Sequence, residues 1–365
     1  LTAVNFSGVL QWIGQNAFKG CTELIEITVP ENVKEIGAGA FEDCKGLTAI
    51  NFNAIECADA GTAISANETR SNNVFAAAGE NKSGITVKIG KQVKSVPSFL
   101  FAVSGKNPAK IASLTFAEGA VCSSIGESAF RGAGETSFTK ISIAESVTKI
   151  GKNAFAGTAY YLDDNNRRDN VLYVDGCLIK ADFKSTTYSY NILTGTRIIA
   201  DNAFEITLTV GVSPEIVIVA DSVTHVGAYA FNKLTALKEV VFNSTSKLVS
   251  IGERAFNGCT NLGTAKNEAN EDIGIYIRSK VSVIGSYAFA GCDNLTKIWI
   301  DSAAIAEGLM QNDSVTCGGI LAKATTVYVN SSIVRVGSYL RDNYEKGEQT
   351  VSGSYKRYTK KEIGR

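Results

Sequence analysis

The sequence predicts a repeat solenoid, mainly β, built of short parallel strands joined by turns and short helical or irregular segments. Three observations carry this. The signature "IGQNAF" (Ile13 to Phe18) returns as "IGAGAF" (Ile36 to Phe41) and recurs along the chain. A second phrase of the form L-x-x-I-x-I stands ahead of the copies. The composition sets 34 glycines against four prolines and one methionine, which suits many short strands and turns better than long helices.

The first signature recurs as "IGESAF" (Ile125), "IGKNAF" (Ile150), "IADNAF" (Ile199), "VGAYAF" (Val226), "IGERAF" (Ile251) and "IGSYAF" (Ile284), with degenerate copies "VPSFLF" (Val96) and "VGSYLR" (Val336). The second phrase reads "LIEITV", "LTAINF", "IASLTF", "FTKISI", "LKEVVF" and "LTKIWI". Together they define a unit of about two dozen residues, the period range of stacked repeat architectures. Within "LIEITV", strand alternation turns Ile27 and Val29 inward and Glu26 and Thr28 outward, with Leu24 entering the core as the strand begins. The glycine of I-G permits a turn without a side-chain clash. The Ala-Phe pair supplies one small and one large core residue. One unit cannot bury this face alone, so neighbouring units stack into a continuous core.

The joined pattern I-G-x-x-A-F-x-G-C with L-x-x-I-x-I-P resembles the BspA-type leucine-rich repeats of bacterial cell-surface proteins, from Leu1 to about Tyr344. "NVLYVDGCLIKADFKSTTYSYNILTG" (about 170–195) is similar to the hairpin repeats of those proteins, and "TTVYVNSSIVRVGSYLRDNY" (about 325–345) to their closing repeat. A longer unit at about 53–84 departs from the period through the polar insertion "AISANETRSNN", expected in a surface loop. The resemblance implies a right-handed leucine-rich-repeat solenoid over 1–345, followed by a polar basic tail at 346–365. It also implies a secreted or surface-anchored protein whose relatives adhere to host or community components, with no particular ligand implied. About a dozen rungs at ~4.8 Å each would give a strand-lined face of roughly 55 to 60 Å.

Charge and motifs narrow the function classes. The chain carries 36 basic and 36 acidic side chains, so it lacks the positive excess of a protein built to coat nucleic acid or an anionic membrane. No apolar run approaches the ~20 residues of a membrane helix. Starting at Leu1, the chain reads as a mature or trimmed segment, with any signal or anchor outside it. His225 is the single histidine and stands in "VTHVG" where other repeats have Glu35 and Lys149, which are solvated positions. No His-rich metal site, nucleophile–base pair, P-loop or dinucleotide fingerprint is present in the sequence. "LDDNNRRDN" gathers Asp163, Asp164 and Asp169, but its arginines neutralise much of that charge, and a plain polar loop is expected. We therefore expect no catalytic step, no metal and no cofactor.

Of the eight cysteines, Cys21, Cys44, Cys259 and Cys292 share the G-C position, where a small apolar side chain suits the core. Buried thiols are expected there. A Cys21–Cys44 disulfide on adjacent rungs stays geometrically open.

Aligning the strands gives one outward column: Asn5, Thr28, Asn51, Lys88, Thr115, Ser142 and Asn191, then Ile218, Val241, Tyr276, Trp299 and Tyr328. The last five form the candidate ligand-binding stripe, an apolar and aromatic run on an exposed face. Glu239, Lys297 and Thr326 would flank it. Cross-strand stabilisation, or coverage by the C-terminal tail, would explain the same residues without a ligand. The leading expectation is an extracellular protein or glycan ligand. The alternative is an assembly surface for another copy or another surface protein.

Overall fold

The computed structural model describes residues 1–63, 69–183, 188–205, 213–308, 319–349 and 353–361. The chain divides into two compact units, Leu1–Arg168 with Leu172–Asp175, and Asp169–Val171 with Gly176–Arg365. Each is a parallel-strand β-solenoid.

In the first unit the L-x-x-I-x-I phrases become the parallel strands Glu26–Val29, Ala49–Phe52, Ile85–Ile89, Ile111–Phe116 and Lys140–Ile141. Register follows the repeat, pairing Ile27 with Ile50, Ile50 with Val87 and Val87 with Leu114. All four are buried, as are Leu24 and Val29. Glu26 and Thr28 are exposed, as strand alternation requires. The signatures form a second, shorter ladder through Ser95–Val96, Ser124–Ile125 and Lys149–Ile150, with Trp12–Ile13 paired to Glu35–Ile36.

The second unit repeats the plan. Cys177–Ala181, Ile198–Ile199, His225–Val226, Ser250–Ile251 and Val283–Ile284 make its short parallel ladder. Ser189–Asn191, Ile216–Val219 and Glu239–Phe242 make one strand-face sheet. Ile275–Ile277, Lys297–Ile300 and Thr326–Asn330 make the next. There the parallel order ends: Tyr355–Lys360 pairs antiparallel with Thr326–Asn330, and Tyr344–Gln349 pairs antiparallel with Tyr355–Lys360. The helix Ser338–Asn343 precedes these strands. Back in the first unit, a short antiparallel pair, Gly61–Ala63 with Thr69–Ser71, brackets residues 64–68 of the polar insertion, which lie outside the described residues.

The Ala-Phe pairs, with Phe75 of the longer unit and Phe101 of the degenerate copy "VPSFLF", build the core. Phe18, Phe41, Phe75, Phe101, Phe130 and Phe155 stack in sequence with ring centroids 4.9 to 5.6 Å apart. Phe204, Phe231, Phe256 and Phe289 do the same in the second unit, at 4.5 to 5.2 Å. Each stacked pair adds roughly 0.5–1.5 kcal/mol beyond its area burial.

The glycine of I-G has a different reason from the one read in the sequence. Its backbone does not need the left-handed region. A β-carbon on Gly151 would instead lie 2.5 Å from the Glu127 amide nitrogen, and one on Gly126 would lie 2.4 Å from that of Ser98. At these two rungs the backbones approach so closely that a side chain would clash. The left-handed turn falls two residues later, at Asn16, Gly39, Ser128, Asn153, Asn202, Tyr229, Arg254 and Tyr287, with φ between 50° and 62°.

Candidate binding face

The outward column keeps its expected register within each sheet. Thr28, Asn51, Lys88 and Thr115 are successive partners in the first unit. In the second, Asn191 pairs with Ile218 and Ile218 with Val241. Tyr276 pairs with Trp299 and Trp299 with Tyr328. The five stripe residues thus fall on two sheets, Ile218 and Val241 on one and the three aromatics on the next. All five are half-buried rather than fully exposed.

The aromatic part is a ladder. Tyr276 and Trp299 stack at 5.2 Å and Trp299 and Tyr328 at 3.8 Å, each pair 10° from parallel. Strand spacing of about 4.8 Å holds identical positions at ring-stacking distance. The rings therefore spend their faces on one another and turn their edges outward. Trp299 Nε1 donates to the Ile273 carbonyl at 3.0 Å, fixing the indole in place.

A polar row lies beside the ladder, two residues further along each strand. Arg278 Nη1 meets Asp301 Oδ2 at 3.2 Å, and its guanidinium carbon stands 4.4 Å from the Tyr276 ring centre. Arg278 Nε also donates to the Phe242 carbonyl at 2.6 Å. Asp301 Oδ1 accepts from Asn330 Nδ2 at 3.2 Å and from the Tyr355 hydroxyl at 2.8 Å. With both ions mostly out of solvent, this is a charge-assisted network that fixes geometry. Burial, then the hydrogen bond to Asp301, pushes the Tyr355 phenol well above its ordinary range. Burial likewise raises Tyr276, and it raises the carboxyl of the flanking Glu239.

The alternative in which the C-terminal tail covers the stripe is met in part: the closing strand pairs beside Tyr328, and its Tyr355 packs edge-on against Trp299 at 5.1 Å and 81°. A second cluster also escaped the strand alignment because it sits at the left-handed turn. Arg254 stands 5.6 Å from the Tyr229 ring centre and 5.2 Å from that of Tyr287, with Nη1 donating to the Tyr229 hydroxyl at 2.5 Å. The second x of "VGAYAF", "IGERAF" and "IGSYAF" carried that signal, since three consecutive copies place Tyr, Arg and Tyr there.

The other sequence candidates have structural roles. His225 lies between Ile198 and Ser250 on the short ladder, with Nδ1 2.8 Å from Thr224 Oγ1, and partial burial lowers its pKa. Asp163 accepts from the Asn165 amide at 2.9 Å and caps a short 3-10 turn, and Arg167 stands 3.7 Å from Asp164. Among the described residues no three His, Cys, Asp or Glu side chains converge as a metal site would need. Cys21 and Cys44 are separate thiols; the expected burial holds for Cys44, Cys259 and Cys292, which donate to the carbonyls of Phe18, Phe231 and Phe256 in the preceding rungs, but Cys21 is only half-buried. Burial pushes Cys44 and Cys292 up to about 12. Cys317 lies outside the described residues. Among the described residues no helix is long and apolar enough to cross a membrane.

Several solved structures are similar to this chain. A leucine rich cell surface protein from Faecalibacterium prausnitzii A2-165 is 24% identical, with a TM-score of 0.37, over 91% of this chain and 80% of that one. The pneumococcal vaccine antigen PcpA is 18% identical, with a TM-score of 0.33, over 81% and 69%. A leucine-rich repeat protein from Eubacterium ventriosum ATCC 27560 is 18% identical, with a TM-score of 0.33, over 90% and 72%. Comparison with curated proteins gives no match. The model of the BspA type leucine rich repeat region matches six copies, over residues 1–76, 68–208 and 184–338. Repeat phase, register and that match together place the chain in the BspA type leucine rich repeat family.

Proposed function

We propose that this chain is a non-catalytic binding module, secreted or displayed at a cell surface, that recognises an extracellular protein through its strand-lined face. The observation that supports this best is the Tyr276–Trp299–Tyr328 ladder, held by the Arg278–Asp301 network. Tyr, Trp and Arg are the side chains enriched at protein-binding hot spots, and a rigid presentation lowers the entropy lost on binding. Because the ring faces are stacked on each other, a ligand meets ring edges and phenol hydroxyls. That geometry favours a protein surface over a sugar, which would need an open ring face to lie on.

The test is binding of the purified chain to a panel of matrix proteins and mucins, beside Tyr276→Ala and Trp299→Ala variants of verified fold. A hit lost in both variants supports the reading. A hit kept in both removes the ladder from the site. Self-association of the parent that disappears in Trp299→Ala would replace ligand recognition by assembly.

A further inference from the structure

The strand face of the first unit holds a depression of about 300 Å³ lined by Thr28, Asn51, Asn53, Lys88, Gly90 and Lys91. We propose that it is a second binding site, independent of the aromatic ladder, and that it takes an anionic carbohydrate.

Its construction is readable from the repeat. Thr28, Asn51 and Lys88 are register partners on successive strands, so their side chains rise side by side from one surface. Asn51 Nδ2 donates to Glu26 Oε1 at 2.6 Å and to Thr28 Oγ1 at 3.2 Å, which fixes the amide. Two residues further on, just past the strand ends, stand Asn53 and Gly90. A β-carbon at Gly90 would come within 2.3 Å of Asn53 Oδ1, so the floor exists because this rung has no side chain there. Gly90 keeps its place in the ladder by donating to the Phe52 carbonyl at 2.8 Å.

The charged side chains of the lining itself are both lysines, while the Glu26 carboxylate stands at its edge on Asn51. Among the described residues neither Lys88 nor Lys91 belongs to an ion pair, whereas Lys34 and Lys94, elsewhere in the unit, both reach Glu56. Two unneutralised ammonium groups over a dent attract an anion. The amides of Asn51 and Asn53 and the hydroxyl of Thr28 offer both donors and acceptors, which suits a polyhydroxylated ligand. The lining has no aromatic or large aliphatic anchor of the kind that docks a peptide side chain. A sugar bearing a carboxylate or sulfate group meets all three conditions.

Titration calorimetry at low salt tests this with an oligogalacturonate, a heparin-derived oligosaccharide, a neutral maltooligosaccharide and poly-glutamate. The protein is used in three forms: parent, Lys88→Gln/Lys91→Gln, and a Lys140→Gln/Lys247→Gln control with the same change in charge. The expected result is binding of at least one anionic sugar, weakened by roughly ten-fold or more in the Lys88/Lys91 variant and unchanged in the control. Binding should fall with added salt, and the neutral sugar should not bind. Preference for the oligogalacturonate or the heparin fragment tells a carboxylate site from a sulfate site. The proposal is overturned by absence of binding to both anionic sugars, by an equal loss in the control, or by poly-glutamate binding as tightly as the sugars. The lysines are exposed, so the variants should keep the parent's circular dichroism.

Discussion

Replacing Gly151 by Ala should open the first unit between two rungs, while the same change at Gly14 should do nothing harmful. The two glycines occupy the same position of the repeat. At Gly151 the added carbon would lie 2.5 Å from the Glu127 nitrogen and 2.8 Å from its α-carbon, about 1 Å inside ordinary contact. At Gly14 nothing lies within 4 Å. Relieving the clash moves apart rungs joined by Gly151 N to Ile125 O at 2.8 Å and Ser128 N to Lys152 O at 2.9 Å. A shift of that size breaks both bonds, at roughly 1 kcal/mol each. Strain in the surrounding close packing adds at least about 1 kcal/mol. The expected loss is therefore about 3 kcal/mol for Gly151→Ala. Gly14→Ala should be neutral, or stabilising by up to about 1 kcal/mol through the less flexible unfolded chain. Urea unfolding followed by far-ultraviolet circular dichroism measures both. If Gly151→Ala unfolds within about 0.5 kcal/mol of the parent, close backbone approach is not why glycine stands there.

The left-handed turn gives a companion case: Asn153, at φ 57°, should tolerate Gly, while Asn153→Ala should lose about 1 kcal/mol in the same unfolding assay. Glu42 is nearly buried and reaches Lys106 at 3.0 Å and Lys19 at 3.2 Å. Its carboxyl is held below the usual range chiefly by the hydrogen bond from Lys106. A lowered carboxyl stabilises the fold above its unfolded pKa and loses that contribution as pH falls through the folded value. Glu42→Gln should thus cost about 1 kcal/mol at neutral pH, and the difference should close on acidification below about pH 4. Tyr355→Phe keeps the ring against Trp299 but removes the bond to Asp301, so amide exchange in Tyr355–Lys360 should speed up by about ten-fold, the equivalent of about 1.4 kcal/mol. A thiol reagent at mildly alkaline pH should label half-exposed Cys21 first and reach Cys44, Cys259 and Cys292 only after denaturation, because burial disfavours their thiolates.

What could be read from the sequence was whatever repeats with the period of the chain. Ile27, Ile50, Val87 and Leu114 announce a buried row because strand alternation and copy number say the same thing. The rows from Thr28 to Thr115 and from Tyr276 to Tyr328 follow by the same count. Three things were hidden because they depend on neighbours in space. The I-G glycine looks like a turn residue until the adjacent rung is seen 2.5 Å away. Tyr355 lies in a segment without repeat phase, so nothing in its sequence assigns it to Trp299. The parallel stacking of the ladder rings decides which parts of them reach a ligand, and composition cannot state an interplanar angle.

The phenylalanine column has an evolutionary consequence. Within each unit the interior rings stack on the ring before and the ring after at nearly the same separation, and the I-G glycines sit where the backbones of successive rungs come closest. A duplicated or deleted rung therefore presents its neighbours with the surfaces they already fit. Length becomes free to change by whole units, while outward side chains such as Lys88 or Trp299 vary without disturbing the stack. A gene of this design can change the number of its rungs and the side chains of its strand-lined face as two separate events.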